Sequence, residues 1–479
     1  MSAHDTEHEL NADSQLDFTA DELRRLGYVA IDAIVERLQG LRAGKPWRGG
    51  RRGELEALFR EPCPEQGRDP DAVMARAVGE ILQRAGRIDH PRFFAFVPSA
   101  PSSASLLGDV LATGFNVFQG TWLESAGPSQ IELVVLDWFR EWLGMPEGAG
   151  GLFTSGGSAA NLMAIVAARE AAGHPQKPAV YMSAQSHSSV ERAARIAGFR
   201  DDALRHAECG PDYRIKIDAL QRSVAADRAD GRTPVLVAVN AGATNTGLVD
   251  PLPELAAWCR SEGIWLHVDG AYGGFAVLSA RGRDQLEGIG EADSVTLDPH
   301  KWLFQPYESG CLMVRDTAML ERAFRIMPEY LQDTDLGLEH VNFADRGLQL
   351  TRSFRALKVW MAMQMHGREA HAAAVDRSID LGDRAQRWIE QHPQMELLSA
   401  ASLGVVCFRW NPGGLDEPQL EELNRSIQDV IIAEGTAMMS STRLDGRYSL
   451  RLCIMNHRTT ADDVDTTLHR LAELGAAQT

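Results

Sequence analysis

A lysine becomes chemically useful when the chain withdraws it from water, and Lys301 is placed for that. It lies in the run Asp293-Ser-Val-Thr-Leu-Asp-Pro-His-Lys-Trp302, where a short apolar strand opens into a polar cluster. A partly desolvated amine there can attack an aldehyde and form an imine. A lone lysine is ordinarily a solvated surface charge, but His300 and Trp302 frame this one at a buried strand end. A second strand end, Ile264-Trp-Leu-His-Val-Asp-Gly-Ala-Tyr272, supplies Asp269. Its carboxylate can hold a proton on a heteroaromatic nitrogen and so make that ring an electron sink, or it can simply cap the next turn.

Two more segments carry candidate groups. Gly150-Gly-Leu-Phe-Thr-Ser-Gly-Gly-Ser158 is followed by AANLMAIVAARE, in which Leu162, Ile165 and Val166 keep helical spacing. A Gly/Ser-rich loop opening into a helix can cradle a phosphate on first-turn N–H groups, or it can be a flexible loop with a serine cap. No GxGxxG and no GxxxxGK[ST] is present, which withholds support from a nucleotide-dependent oxidoreductase or a P-loop enzyme. No G-x-S-x-G elbow marks Ser155 or Ser158 as a hydrolase nucleophile. In Tyr181-Met-Ser-Ala-Gln-Ser-His-Ser-Ser189, His187 follows a strand and can lay a flat imidazole on a flat ligand, or serve as an ordinary loop histidine.

These groups need a scaffold that brings strand ends together. Short β-type runs at 179–183, 235–240, 264–269, 293–297 and 311–315 alternate with helical pattern. One such helix spans about 253–262 and is followed by Gly263, a good terminator. This alternation predicts an α/β fold with a mainly parallel sheet covered on both faces, whose ligands bind at the carboxyl ends of strands. Three zones follow: a helical segment 1–85, a large domain 86–355 and a small α+β domain 356–479. In the first, Thr19-Ala20-Asp21-Glu22 fits a capping box, and Leu23, Leu26, Ala30, Ile34 and Leu38 form an apolar stripe that asks for a partner surface. The Gly- and Arg-rich stretch 48–53 reads as a loop.

The chain's 479 residues exceed one simple core. A formal charge of −18 argues against a nucleic-acid surface, though not against a local anion site. The six cysteines show no CxxC spacing and read as buried apolar residues in a reducing cytoplasm. The acidic N-terminus lacks the pattern of a signal peptide, and no apolar run is long enough for a bilayer, so neither membrane nor metal is expected.

Together the segments resemble the group II pyridoxal 5′-phosphate (PLP) decarboxylases, the aromatic-L-amino-acid decarboxylase family of fold type I. The resemblance runs from His90-Pro-Arg-Phe-Phe-Ala-Phe-Val-Pro-Ser99 through Phe354-Arg-Ala-Leu-Lys358, and DPHKW with HVDGAY upstream is a specific combination. It implies a seven-stranded-type sheet, PLP as cofactor, and a homodimer in which the N-terminal helical segment packs on the partner. It makes Lys301 the Schiff-base lysine, Asp269 the partner of the pyridine nitrogen, and His187 the residue stacked on the ring and facing substrate. Gly157, Ser158, Thr244, Asp298 and His300 fall at cofactor positions, and Ser99 falls near the substrate.

Two departures matter. Asp298 stands where animal members carry asparagine near the phosphate, and a carboxylate is unfavourable there. The family's loop tyrosine, which protonates the substrate carbon, has no counterpart in 331–347; the matching position is Phe343, or Ala344 with a shift of one, and Tyr330 lies just outside. Phenylalanine at this position is associated in the family with aldehyde synthases, in which O2 intercepts the carbanion. The expected reaction is decarboxylation of an L-amino acid, with aromatic substrates favoured through Phe94, Phe96, Phe115 and Trp122. An aldehyde synthase, or a decarboxylase of acidic or diamino acids, is the alternative.

Overall fold

The computed structural model describes residues 16–326, 333, 337 and 339–479. Its large sheet has seven strands: β1 (Gly150–Thr154), β2 (Pro178–Ser183), β3 (Leu204–Ala207), β4 (Thr233–Asn240), β5 (Trp265–Gly270), β6 (Ser294–Leu297) and β7 (Gly310–Val314). The order is β1-β7-β6-β5-β4-β2-β3. Pairing is parallel from β6 through β3, whereas β7 runs antiparallel to both β6 and β1. The expected mainly parallel α/β sheet is therefore present.

Burial on both faces explains the continuous apolar runs. In β4, Val237 and Val239 enter one core, while Leu236 and Ala238 enter the other. The crossover helix Leu252–Glu262 ends on Gly263, which takes the left-handed conformation (φ 66°) that a side chain would disfavour.

One sequence expectation is corrected. Residues 150–154, read as part of a loop, form the edge strand β1. Its glycines hid the alternation by which a strand is recognised. The loop proper is only the turn before the helix Gly157–Ala171. The stretch 48–53 also turns helical earlier than expected, at Arg52.

The smaller sheet is antiparallel, with β8 (Met395–Ser402), β9 (Val405–Trp410), β10 (Ser440–Leu444) and β11 (Arg447–Cys453) in the order β10-β11-β9-β8. The helices Glu417–Glu434 and Ala461–Gln478 pack with it, and the long helix Ala356–Gln391, broken at Gly367, joins it to the large sheet. At the N-terminus, Thr19 caps the helix Ala20–Gln39 by accepting from the Glu22 N–H. That helix buries only Leu26 and leaves Leu23 and Ile34 exposed.

Among the described residues no helix is long and apolar enough to cross a membrane. All six cysteines are free; Cys63 is exposed and Cys209 half-buried, so the reading of all six as core residues holds for only four.

Candidate active site

The carboxyl ends of β4, β5 and β6 meet the start of the helix Gly157–Ala171 around a cleft of about 500 Å³. Lys301, Asp269, His187 and Thr244 all line it, as do Gly157, Ser158, Asp298 and His300. Eight of the nine site residues named from sequence thus surround one space.

Lys301 sits in the turn that follows β6, its side chain 21% exposed and its Nζ 2.8 Å from Asp298 Oδ2. Burial alone would push this amine towards neutrality. The charge and hydrogen bond of Asp298, with smaller contributions from Asp269 and Tyr307, more than reverse that, and the Lys301 pKa ends above its ordinary value. His300 Nε2 lies 3.6 Å from the same carboxylate oxygen, while its Nδ1 accepts from the Ser309 N–H. Burial lowers the His300 pKa. The other Asp298 oxygen, Oδ1, is buried without a hydrogen-bond partner.

Asp269, at the end of β5, accepts from the Ala271 N–H at 3.1 Å and from Asn161 Nδ2 at 2.9 Å. Asn161 comes from the helix Gly157–Ala171, and the same amide donates to Ser189 Oγ at 2.9 Å. Ser189 Oγ is 2.7 Å from Nδ1 of His187, the N-cap of the helix Ser188–Ile196. Behind Asn161 stand His267 and Thr296, both fully buried.

The start of the helix Gly157–Ala171 has no side-chain cap, so its first N–H groups are open to an anion. Backbone crowds it closely: a Cβ on Gly310 would lie 2.4 Å from Gly156 Cα. One on Gly157 would meet Ala271 Cβ at 3.0 Å and Asp298 Oδ2 at 3.1 Å.

Ser99 is not among the lining residues. It is buried, and its hydroxyl donates to the Gln305 carbonyl. Of the four aromatics named from sequence only Phe96 lines the cleft; Phe94 belongs to the core of the small lobe, Phe115 is exposed away from the cleft, and Trp122 packs edge-on against His340. Phe343 is fully buried, with the Arg352 guanidinium 4.8 Å over its ring. Ala344 is half-buried and bonds through its N–H to the Gly120 carbonyl. Tyr330 lies outside the described residues.

Sequence reading missed Asn161, Ser189, His267 and Tyr307. The first three are polar residues at positions that helix and strand periodicity buries, a signal that was available in the sequence. Tyr307 packs its ring 4.9 Å from that of His300. Burial raises the phenol's pKa, while Lys301 and the Ser99 hydroxyl pull it down.

Residues 53–411 match the pyridoxal-dependent decarboxylase conserved domain. The chain belongs to the pyridoxal-dependent decarboxylase family. It is therefore a PLP-dependent carboxy-lyase acting on an amino acid. Among members of this decarboxylase family, the chain is 40% identical over 453 residues to the aromatic-L-amino-acid decarboxylase of Bacillus atrophaeus, 94% of each being covered. It is 29% identical over 450 residues to a phenylacetaldehyde synthase of Arabidopsis thaliana, covering 91% of this chain and 92% of that one. The solved structure of Oryza sativa TDC with PLP and tryptamine superposes with a TM-score of 0.92 at 26% identity, covering 97% of this chain and 99% of the other.

Proposed function

We propose that this chain decarboxylates an aromatic L-amino acid to the corresponding amine and CO2, with PLP held on Lys301. The observation that carries the reading is the grouping of Lys301, Asp269 and an uncapped helix start in one cleft. The donor set suits PLP: an amine for its aldehyde, a carboxylate for its ring nitrogen, and free N–H groups for its phosphate. When bound, PLP supplies a protonated ring that takes up the electron pair released as CO2 leaves.

The protein's own groups have distinct tasks. Asp269, held by two N–H donors, presents its carboxylate at the far end of the cleft. Gly157, Ser158 and Thr244 hold the phosphate with the helix start. Asp298 serves as the counter-ion of Lys301, a role that removes the conflict between its carboxylate and a phosphate. His300 packs beside that pair. His187 covers the cleft and faces the substrate, while Ser99 is turned to the Gln305 carbonyl behind it.

The aromatic preference draws on the name of the Bacillus relative and on Phe96, exposed along the cleft. Oxidative deamination to an aldehyde is the second reading, favoured by the Arabidopsis relative. Phe343 is buried under Arg352 and is not among the residues that line the cleft. Amine, aldehyde, ammonia and peroxide measured in one incubation with aromatic, acidic and diamino acids decide the matter. Amine equal to CO2 with an aromatic substrate supports decarboxylation; stoichiometric aldehyde and peroxide overturn it.

The working form in this reading is a cytoplasmic homodimer. The helical segment 1–85 packs on the partner, 86–355 holds PLP, and 356–479 forms the small domain. The exposed stripe of the helix Ala20–Gln39, and exposed Leu107, Val110, Leu111 and Phe115, support a covered face.

A further inference from the structure

Behind the cleft runs a hydrogen-bond chain whose direction is fixed by groups that have only one option. The Trp265 indole N–H can only donate, and it meets Ser294 Oγ at 2.8 Å. Ser294 Oγ is in turn 2.8 Å from Nδ1 of His267. Burial pushes the His267 pKa down to about 4, so the ring is neutral and has one proton to place. Its Nε2 lies 3.0 Å from Asn161 Oδ1, which also accepts from Thr296 Oγ1 at 2.6 Å.

The other side of the Asn161 amide faces Asp269 Oδ2 at 2.9 Å, an oxygen that can only accept. The amide therefore has one orientation, with NH2 towards Asp269 and Ser189 and oxygen towards His267 and Thr296. His267 carries its proton on Nε2. Ser189 Oγ accepts from Asn161 and sends its own proton to His187 Nδ1, 2.7 Å away. The Ser189 backbone N–H faces the same nitrogen at 3.3 Å. Nδ1 of His187 is thus an acceptor, which leaves its proton on Nε2, the nitrogen free to face the cleft.

We propose that Asn161 is a positioning residue for the decarboxylation: its amide holds Asp269 from behind and, through Ser189, presents His187 to the substrate as an Nε2–H donor. This rests on the reading that Lys301, Asp269 and His187 surround the cofactor. One buried amide then holds the carboxylate at the far end of the ring and, through Ser189, supports the imidazole over it.

The test is ¹⁵N NMR of the holoenzyme with ring-labelled histidine, at a pH of about 8, above the ordinary histidine range. The His187 signals are assigned by their loss in His187→Gln. The wild type shows a protonated Nε2 and a bare Nδ1. Asn161→Leu keeps the wild-type tautomer, because Ser189 still donates to Nδ1. It shifts the visible band of bound PLP as Asp269 loses a donor, and lowers kcat roughly tenfold, the scale of one hydrogen bond, with KM little changed.

A proton on Nδ1 in the wild type overturns the proposal. So does Asn161→Leu with band and kcat unchanged. If Asn161→Leu does not fold, the wild-type tautomer still decides. Borohydride reduction separates the two levels: a label missing from Lys301 sinks the cofactor reading, while the tautomer sinks or upholds the role of Asn161.

Discussion

Asp298 and Lys301, three residues apart in the turn after β6, form a 2.8 Å ion pair on the floor of the cleft. Burial favours the neutral amine, but the carboxylate wins, so the ammonium form persists above the ordinary lysine range. Capture of an aldehyde needs the neutral amine. In enzyme stripped of PLP, the rate of PLP capture therefore rises with pH, and Asp298→Asn moves the midpoint of that rise downward by removing the main group that opposes burial, with Asp269 and Tyr307 remaining. Stopped-flow absorbance at a series of pH values checks this; a midpoint that stays or climbs in Asp298→Asn contradicts it.

Glu132 and Arg352 form a buried pair at 2.6 Å, each at most 1% exposed. Together they clamp β1, since Glu132 accepts from the Phe153 N–H and Arg352 donates to the Phe153 carbonyl. Removing one partner strands the other charge, and breaking such pairs costs about 3–5 kcal/mol. Glu132→Ala is expected to lose that much in denaturant unfolding. A loss within experimental error would mean that water replaces the partner.

Phe343→Tyr puts a hydroxyl beneath Arg352 in a fully buried site. The expected cost is about 1–3 kcal/mol of stability, the range for an unsatisfied polar group, with the amine-to-aldehyde ratio unchanged. Thermal melting and product analysis measure the two separately. A changed product ratio would place this side chain at the substrate after all.

The contrast between Lys301 and Phe343 shows what the sequence made legible. Asp269 closes a strand, Lys301 sits in the turn just after one and His187 opens a helix, so apolar runs ending in polar residues gave their common edge. Phe343 was matched by counting along a loop, and counting says nothing of whether a ring turns inward. β1 was hidden because an edge strand built on Gly150 and Gly151 lacks alternation and has Thr154 as its one β-branched residue. Asn161 was passed over because its role depends on His267, Asp269, Thr296 and Ser189, which come from three other segments and meet only in the fold.

The exposed apolar residues of the helices Ala20–Gln39 and Ser103–Gly114 predict association. Sedimentation should give about twice the 52.5 kDa chain mass. The double substitution Leu111→Asp with Phe115→Asp, which places charges in that face, should shift the protein towards monomer. A monomeric wild type at micromolar concentration contradicts the dimer.

The assignment of Lys301 as the covalent anchor of PLP is tested most directly by reducing the holoenzyme with borohydride and mapping the modified peptide. The account predicts one pyridoxyl group per chain, on Lys301, with the visible band lost on reduction and absent from Lys301→Ala. A label on another lysine, or none in fully loaded enzyme, contradicts it.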